Sequence, residues 1–387
     1  MNSSPGEPNP LQNSQSLQQT DREAQVVTLS FKQGTLLVEG RQEEINSLGE
    51  CVFDKRTLQY RARASSYRQL VVNAHKQGIT LVDQARKYSE IDCRLKKAIV
   101  PRSHQAEALA AWLSAHKNGV VSLPTGAGKT ILALLAIEKA ARSTLIVVPT
   151  IDLLLQWQEV LAAHLSQPIG LVGGGHRSIE AITVSTYDSA RMIIENVGNQ
   201  FGFLIVDECH HLPAPQYQII GAACIAPFRL GLSATLERSD GKESVIYDLL
   251  GEKIYEGAIR DLVANTLAPY DVVNIEVDLS AEEKASYDAS RQRYMGFIRK
   301  MGIDFSKPDG WKQFIMRSAR SREGKDAMTA YREQKNLAQA ATAKFDQVWS
   351  ILNRHSQEPI IVFTDNNEFA YQIGSAFMLA VLTHKTK

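Results

Sequence analysis

The stretch SLPTGAGKT, residues 122–130, stands between the apolar run GVVSL (119–123) and the apolar helical pattern ILALLAIEKAAR (131–142). A strand, a glycine loop and a helix in that order suit one chemical task. A phosphate chain needs backbone N–H groups turned inward at close range. Gly126 and Gly128 permit that approach, and the helix start presents a dipole end that favours anions. On this reading Thr125, Gly126, Ala127 and Gly128 cradle the phosphates, Lys129 reaches the β- and γ-phosphates, and the Thr130 hydroxyl ligates Mg²⁺. The full G-x-x-x-x-G-K-[ST] spacing is not met, because Leu123 occupies the first glycine's place.

Outward from this loop the pattern repeats. TLIVVPT precedes DLLLQWQEVLAAHL, and AITVSTY, FLIVDE and RLGLSAT follow as further short apolar runs. Continuous apolar strands of this length, separated by helices, predict a doubly wound α/β domain whose parallel sheet is covered on both faces. Upstream, VVTLSF and TLLVEG read as strands around a turn at Gly34, FDKRTLQYRA as a turn and strand, and YRQLVVNAHKQG as a helix ending at Gly78. The first 24 residues, rich in Pro, Asn, Ser and Gln, read as a flexible tail.

A second chemical signal is LIVDECHH, residues 204–211. Its apolar run ends in two carboxylates, which places them at the carboxyl end of a buried strand, the ligand edge of such a sheet. Asp207 is then the candidate Mg²⁺ holder and Glu208 the candidate base for an attacking water. His210 and His211 lack further His or Cys at zinc-ligand spacing. The four cysteines, 51, 93, 209 and 224, contain no C-x-x-C pair, so neither zinc nor a disulfide scaffold is suggested. No secretory pattern opens the chain and no apolar run approaches the roughly 18 residues of a membrane span. Localisation is therefore expected to be cytoplasmic, with no membrane partner.

The formal charge of +1 over 387 residues offers no argument for a polyanion partner until it is mapped. Residues 54–102 carry a local +8 and residues 284–325 a local +7, which leaves −14 on the rest. Such asymmetry suits a polyanion held at two places, or two solvated faces. In the first segment Tyr60 and Tyr67 interleave with Arg61, Arg63 and Arg68, which suits stacking plus phosphate contact, or tyrosines packed inward beneath solvated arginines.

After Thr235 the character changes. VVNIEVDL alternates with period two, Ser280 with Glu283 forms a capping box before a helix to about Met301, and Pro308 with Gly310 interrupts. Trp311 and Phe314 read as core of the helical segment, with base stacking as the alternative. PIIVFT reads as a buried strand, NEFAYQIGSAFM as a helix and LAVLTH as another strand. Two strands of an open sheet cannot bury both faces of a core, so this second α/β domain reads as incomplete.

In order, PTGAGKT, VVPTIDLLLQW, VSTYDSA, DECHH and GLSAT resemble motifs of superfamily 2 helicases. FDKRTLQYRARASSYRQL, HHLPAPQYQIIGAACIAPFRLGLSATLERSDGK and IIVFTDNNEFAYQIGSAFMLAVLTHKT narrow the resemblance to XPB-type DNA helicases in their archaeal and bacterial form. The resemblance implies P-loop RecA-like domains that use ATP and Mg²⁺ to move 3′ to 5′ along forked or single-stranded DNA. The domain order it implies is a tail (1–24), a damage-recognition-like domain (25–90), RecA-like domain 1 (91–255), a connecting strand region (256–283), a helical thumb (284–335) and the start of RecA-like domain 2 (336–387). It further implies that Gln105 reads adenine, with His104 where the family has Tyr. Ser233 and Thr235 couple the nucleotide site through His210. Pro149, Thr150, Gln156, Ser185 and Thr186 contact the DNA backbone, with Arg61 and Arg63 added from the first basic segment. The family's R-E-D element corresponds to Arg238, Ser239 and Asp240, which lacks its middle carboxylate.

The family's motifs V and VI, with their arginine finger, are not found. Partners implied are DNA and either a separate C-terminal motor half or a nuclease. The alternatives are a nucleotide-dependent DNA-binding module, half of a split motor without unwinding activity, and a superfamily 2 RNA helicase. Because an arginine finger contributes about 10³ to 10⁵ in turnover, the chain by itself is expected to bind ATP·Mg²⁺ without completing an unwinding cycle. DNA-stimulated ATPase assays and strand-separation assays on the chain alone check this, and robust activity in both would contradict it.

Overall fold

The computed structural model describes residues 26–235, 241, 243–257, 271–307, 309–365 and 367–383. In the N-terminal part, β1 (Val26–Lys32) and β2 (Thr35–Glu39) turn through Gln33 and Gly34, both at positive φ, as a two-residue hairpin requires. α1 (Gln42–Leu48), β3 (Val52–Asp54), β4 (Gln59–Arg63), α2 (Tyr67–Lys76) and β5 (Thr80–Asp83) follow. The sheet order is β3-β4-β2-β1-β5, antiparallel except for the β1–β5 pair. Its core is Val27, Leu29, Leu36, Val38, Ile45, Tyr67 and Leu70. Sequence pattern shows the hairpin, β4 and α2. It misses α1, which is mostly polar, and β5, which is short and largely exposed.

The next part begins with α3 (Ser103–Ser114) and β6 (Asn118–Ser122), then α4 (Lys129–Ala140), β7 (Thr144–Val148), α5 (Ile151–His164), β8 (Ile169–Gly173) and β9 (His176–Arg177). It continues with β10 (Ile182–Thr186), α6 (Tyr187–Val197), β11 (Phe203–Asp207), α7 (Gln218–Ala222), β12 (Phe228–Ser233), α8 (Glu243–Leu250) and β13 (Lys253–Glu256). The eight strands run in the order β13-β6-β12-β11-β7-β10-β8-β9, and every pair but β8–β9 is parallel. β7, β10 and β11 are buried at every residue. Alternate side chains feed two cores. Ile146, Val148, Phe203 and Ile205 join Trp112, Leu132 and Trp157 on one face, while Leu145, Val147, Leu204 and Val206 join Ile194, Ile220 and Leu250 on the other. This is the expected P-loop, RecA-like doubly wound sheet. The strands β8, β9 and β13 were not legible in the sequence, because β8 leads into a glycine run, β9 has two residues and β13 is a partly exposed edge.

Arg68 and Asn199 join these parts. Arg68 donates through Nη1 to the carbonyls of His116 (3.0 Å) and Pro227 (3.2 Å), and Asn199 Nδ2 donates to Ala85 O at 2.9 Å. Arg68 is thus a strap onto the large sheet rather than a solvated or phosphate-facing residue. Tyr67 is buried, with its hydroxyl on Asp83, so it offers no stacking face. Arg229 lies within the core. Its guanidinium donates to the carbonyls of Gly221 (2.9 Å), Leu249 (2.5 Å), Cys224 (2.6 Å) and Ala226 (3.1 Å).

The chain divides into two compact units, Met1–Tyr270 and Asp271–Lys387. The second contains α9 (Ala281–Lys300), α10 (Gly310–Ser318), α11 (Arg322–Gln339), α12 (Thr342–Arg354) and α13 (Asn367–Phe377). The capping box closes as read: Glu283 N–H donates to Ser280 Oγ at 3.2 Å and Ser280 N–H to Glu283 Oε2 at 2.8 Å. Tyr294, Phe297, Phe314 and Ala330 form its core, with Trp311 half-exposed against Tyr331. The expected strands VVNIEVDL, PIIVFT and LAVLTH do not form among the described residues. Among the described residues these segments belong to neither sheet, and Val273, Ile361 and Phe363 are 77%, 79% and 91% exposed.

Arg229→Leu is expected to leave four buried carbonyls without a donor. At roughly 1 to 3 kcal/mol for each unsatisfied buried group, the loss should be at least about 3 kcal/mol, measured as a shift in the urea midpoint. A change below about 1 kcal/mol would mean that the carbonyls find other donors.

Candidate active site

Because β6, β12, β11, β7 and β10 are parallel, their carboxyl ends share one edge of the sheet. β6 delivers Ser122 and the glycine loop to it, β11 delivers Asp207 and β12 delivers Ser233. Gly126 and Gly128 sit at φ +83° and +85°, the left-handed region that glycine alone enters without strain. A Cβ at Gly128 would lie 2.3 Å from Gln105 Nε2. Gln105 is itself folded onto the loop, where Nε2 donates to Ala127 O (3.1 Å) and Gly128 O (3.3 Å) while Oε1 accepts from Arg102 N–H. His104 Nε2 lies 2.8 Å from the same Ala127 carbonyl. A carbonyl only accepts, so His104 carries its proton on Nε2 there.

Lys129, the first residue of α4, donates from Nζ to Glu208 Oε1 at 2.7 Å, with the two side chains 12% and 25% exposed. Glu208 Oε2 is 3.3 Å from His210 Nδ1, which is 3.0 Å from Ser233 Oγ; that hydroxyl donates to Thr235 O at 2.7 Å. Since the Ser233 hydrogen is used on Thr235, His210 is the donor to Ser233. Lys129, Glu208, His210, Ser233 and Thr235 therefore form one polar chain across three strand ends. Glu208 adopts φ +47°, an uncommon backbone for a non-glycine residue. The buried Tyr187 hydroxyl spans this turn, donating to Asp207 O (3.0 Å) and Glu208 O (3.2 Å).

Asp207 is buried. Its Oδ2 accepts from Trp157 Nε1 and its Oδ1 from Glu208 N–H, both at 3.0 Å. Burial pushes its carboxyl above the ordinary value, against the opposing pull of the Trp157 N–H and the Lys129 charge. Burial likewise raises the Tyr187 phenol far above its ordinary value, so it stays a neutral donor. Among the described residues no group of three or more His, Cys, Asp or Glu converges as a metal cage. Mg²⁺ takes one or two protein carboxylates and completes its octahedron with phosphates and water. A carboxylate at a strand end, beside a glycine cradle and the Thr130 hydroxyl position, is such a donor set.

The residues expected to face nucleic acid divide. Pro149, Thr150 and Gln156 are at or near the start of α5 and reach solvent, and Thr150 Oγ1 caps that helix by accepting from Leu153 N–H. Thr186 caps α6. Ser185 corrects the expectation: it is fully buried in β10 and its hydroxyl is spent on Val172 O, so its side chain cannot touch a DNA backbone. Arg61 Nη1 donates to Thr35 Oγ1, and its Nε lies 3.5 Å from Asp54; Arg63 is exposed. Arg238, Ser239 and Asp240 lie outside the described residues. Sequence reasoning missed Trp157 and Tyr187. Each directly follows a residue already singled out, Gln156 or Thr186, but an aromatic on an apolar helix face reads as packing alone.

Two family descriptions match the sequence. Residues 29–85 match the xeroderma pigmentosum group B helicase damage recognition domain, and residues 98–238 match the type III restriction enzyme res subunit. The chain is 40% identical over 292 residues to a protein named DNA 3′-5′ translocase XPB2 from Sulfurisphaera tokodaii, covering 76% of this chain and 66% of that protein. It is 36% identical over 185 residues to a DNA 3′-5′ helicase XPB from Mycobacterium tuberculosis, covering 44% and 33%. Among solved structures, the Pyrococcus furiosus Hef helicase domain aligns over 72% of this chain and 78% of its own, with 18% identity and a TM-score of 0.45. The chain thus spans about two thirds of the first relative's length and a third of the second's.

Gly128→Ala brings both a positive-φ penalty and a collision with Gln105. Nucleotide affinity, read by calorimetry, is expected to fall at least about tenfold, the equivalent of a 1 to 2 kcal/mol strain. Adding Gln105→Ala should restore only part of it, since the strain at φ +85° persists. Undiminished affinity in the single variant would remove this loop from phosphate binding.

Proposed function

Because the chain belongs to the XPB-type family of superfamily 2 DNA helicases, we propose that it is the ATP-binding part of a motor that couples ATP hydrolysis to 3′ to 5′ movement along DNA. The observation that carries the reading is the 2.7 Å contact of Lys129 with Glu208, at the strand edge that also holds Asp207 and the glycine loop. Phosphate oxygens entering the cradle take over Lys129 Nζ, and the N–H groups at the start of α4 complete the anion site. Glu208, released from Lys129, faces a water as general base, while Thr130 and Asp207 hold Mg²⁺. When bound, Mg²⁺ would supply positive charge that offsets the charge on the phosphate oxygens.

The exchange at Lys129 is how chemistry becomes movement in this proposal. Glu208 shares its second oxygen with His210, and His210 is tied to Ser233 and Thr235 at the end of β12. A change of partner on Glu208 therefore pulls on the next strand end. Pro149, Thr150 and Gln156 lie toward the same edge and supply the DNA-facing surface, and Arg63 adds a sequence-independent phosphate contact; the basic residues 284–325 of the second unit are, by themselves, another such contact. Gln105 would reach adenine only after leaving Ala127 and Gly128. DNA, forked or single-stranded, is the substrate strand, and a C-terminal motor half or a nuclease is the partner class. The relatives named above favour DNA over RNA.

Glu208→Gln is expected to keep ATP binding and to lower DNA-stimulated hydrolysis by about 10² to 10⁴ in any preparation where the unaltered residue supports turnover. Product release and equilibrium binding, measured side by side, check this. Hydrolysis at the unaltered rate would remove Glu208 from its role, and failure of forked DNA to stimulate more than duplex RNA would favour the RNA alternative.

A further inference from the structure

The indole of Trp157 is 2% exposed, and its N–H does not point at a backbone carbonyl, the usual partner of a core tryptophan; it donates to the Asp207 carboxylate at 3.0 Å. The opposite oxygen is held by Glu208 N–H at 3.0 Å. The carboxylate is thus fixed at two points, from α5 and from its own strand end, so its plane cannot rotate. Each oxygen retains acceptor capacity in a defined direction. An indole N–H is a donor only, so it can neither reverse its role nor compete with a cation for the carboxylate.

We propose that Trp157 is a positioning residue for the metal: its indole N–H sets the orientation in which Asp207 presents its free lone pairs to Mg²⁺ bound with a nucleotide. This rests on the reading of the site as a nucleotide·Mg²⁺ site. Groups that hydrogen-bond a ligating carboxylate typically change metal affinity 10- to 100-fold when removed. A purely structural account makes a different prediction, and the same molecule supplies the control. Trp112 is equally buried, and its Nε1 donates at 2.9 Å to Arg229 O, a backbone carbonyl. Trp157→Phe and Trp112→Phe delete the same atoms and one buried hydrogen bond each.

The test uses the whole chain with a non-hydrolysable ATP analogue and graded Mg²⁺, read by calorimetry. Trp157→Phe should raise the Mg²⁺ concentration for half-maximal nucleotide binding by about 10- to 100-fold and leave metal-free nucleotide affinity unchanged. Trp112→Phe should leave both unchanged. Equal behaviour of the two variants, or a parallel loss of metal-free affinity in Trp157→Phe, would overturn the proposal. If Trp157→Phe does not fold, ¹⁵N-indole spectra of the unaltered chain decide. Mg²⁺ added with the nucleotide should shift the Trp157 indole N–H resonance, the one that persists in each of Trp112→Phe, Trp311→Phe and Trp349→Phe, and no shift of that resonance sinks the idea. An unaltered chain that binds no nucleotide at all overturns the reading of the site itself, whereas Mg²⁺-dependent binding that ignores Trp157 overturns this inference alone.

Discussion

Strands β7, β10 and β11 are buried at every residue, and a parallel strand in that position leaves its sheet only at its two ends. Burial on both faces requires helices to return along each side, and each return delivers the next strand in the same direction. All the strand ends that carry polar chemistry then share one edge. The glycine loop after β6, Asp207 at the end of β11 and Ser233 at the end of β12 are neighbours for this reason alone, although more than a hundred residues separate the first from the last. Apolar burial places the site; the polar residues only occupy it.

At that edge the charges are balanced locally. Lys129 and Glu208 neutralise each other, Asp207 is held by two N–H donors, and His210 and Ser233 pass one hydrogen bond onward to Thr235. The left-handed turn at Glu208 is what allows Asp207 to stay under the sheet while Glu208 turns out toward Lys129, and the Tyr187 hydroxyl spans the two carbonyls that the turn brings together. Buried donors and acceptors without partners would be costly here. Their mutual satisfaction makes the arrangement a connected set, in which a change of partner at one member is felt by the next.

Arginine serves three purposes in this chain, and charge counting sees them as one. Arg229 is an internal fastener that satisfies four carbonyls around α7 and α8, Arg68 straps the small sheet to the large one, and Arg63 is exposed. The +8 of residues 54–102 therefore overstates the surface available to a polyanion. A planar fork with five donors suits backbone carbonyls as well as it suits phosphate, and only tertiary contacts reveal which it has met.

The glycine loop, the five core strands with helices α4 and α5, the carboxylates at the end of β11 and the Ser280–Glu283 cap were legible in the sequence. Each is a local pattern: a run of apolar residues, a glycine where φ must be positive, an acceptor three residues before a free N–H. Tertiary structure alone decided that Gln105 and His104 close on Ala127, that Ser185 is buried, that Trp157 and Tyr187 reach Asp207 and Glu208, and that the segments 272–279 and 359–364 are not strands. A strand exists only with its ladder partner, and a buried aromatic's single polar atom is specified only by what lies opposite it. Neither is a property of residues adjacent in the chain.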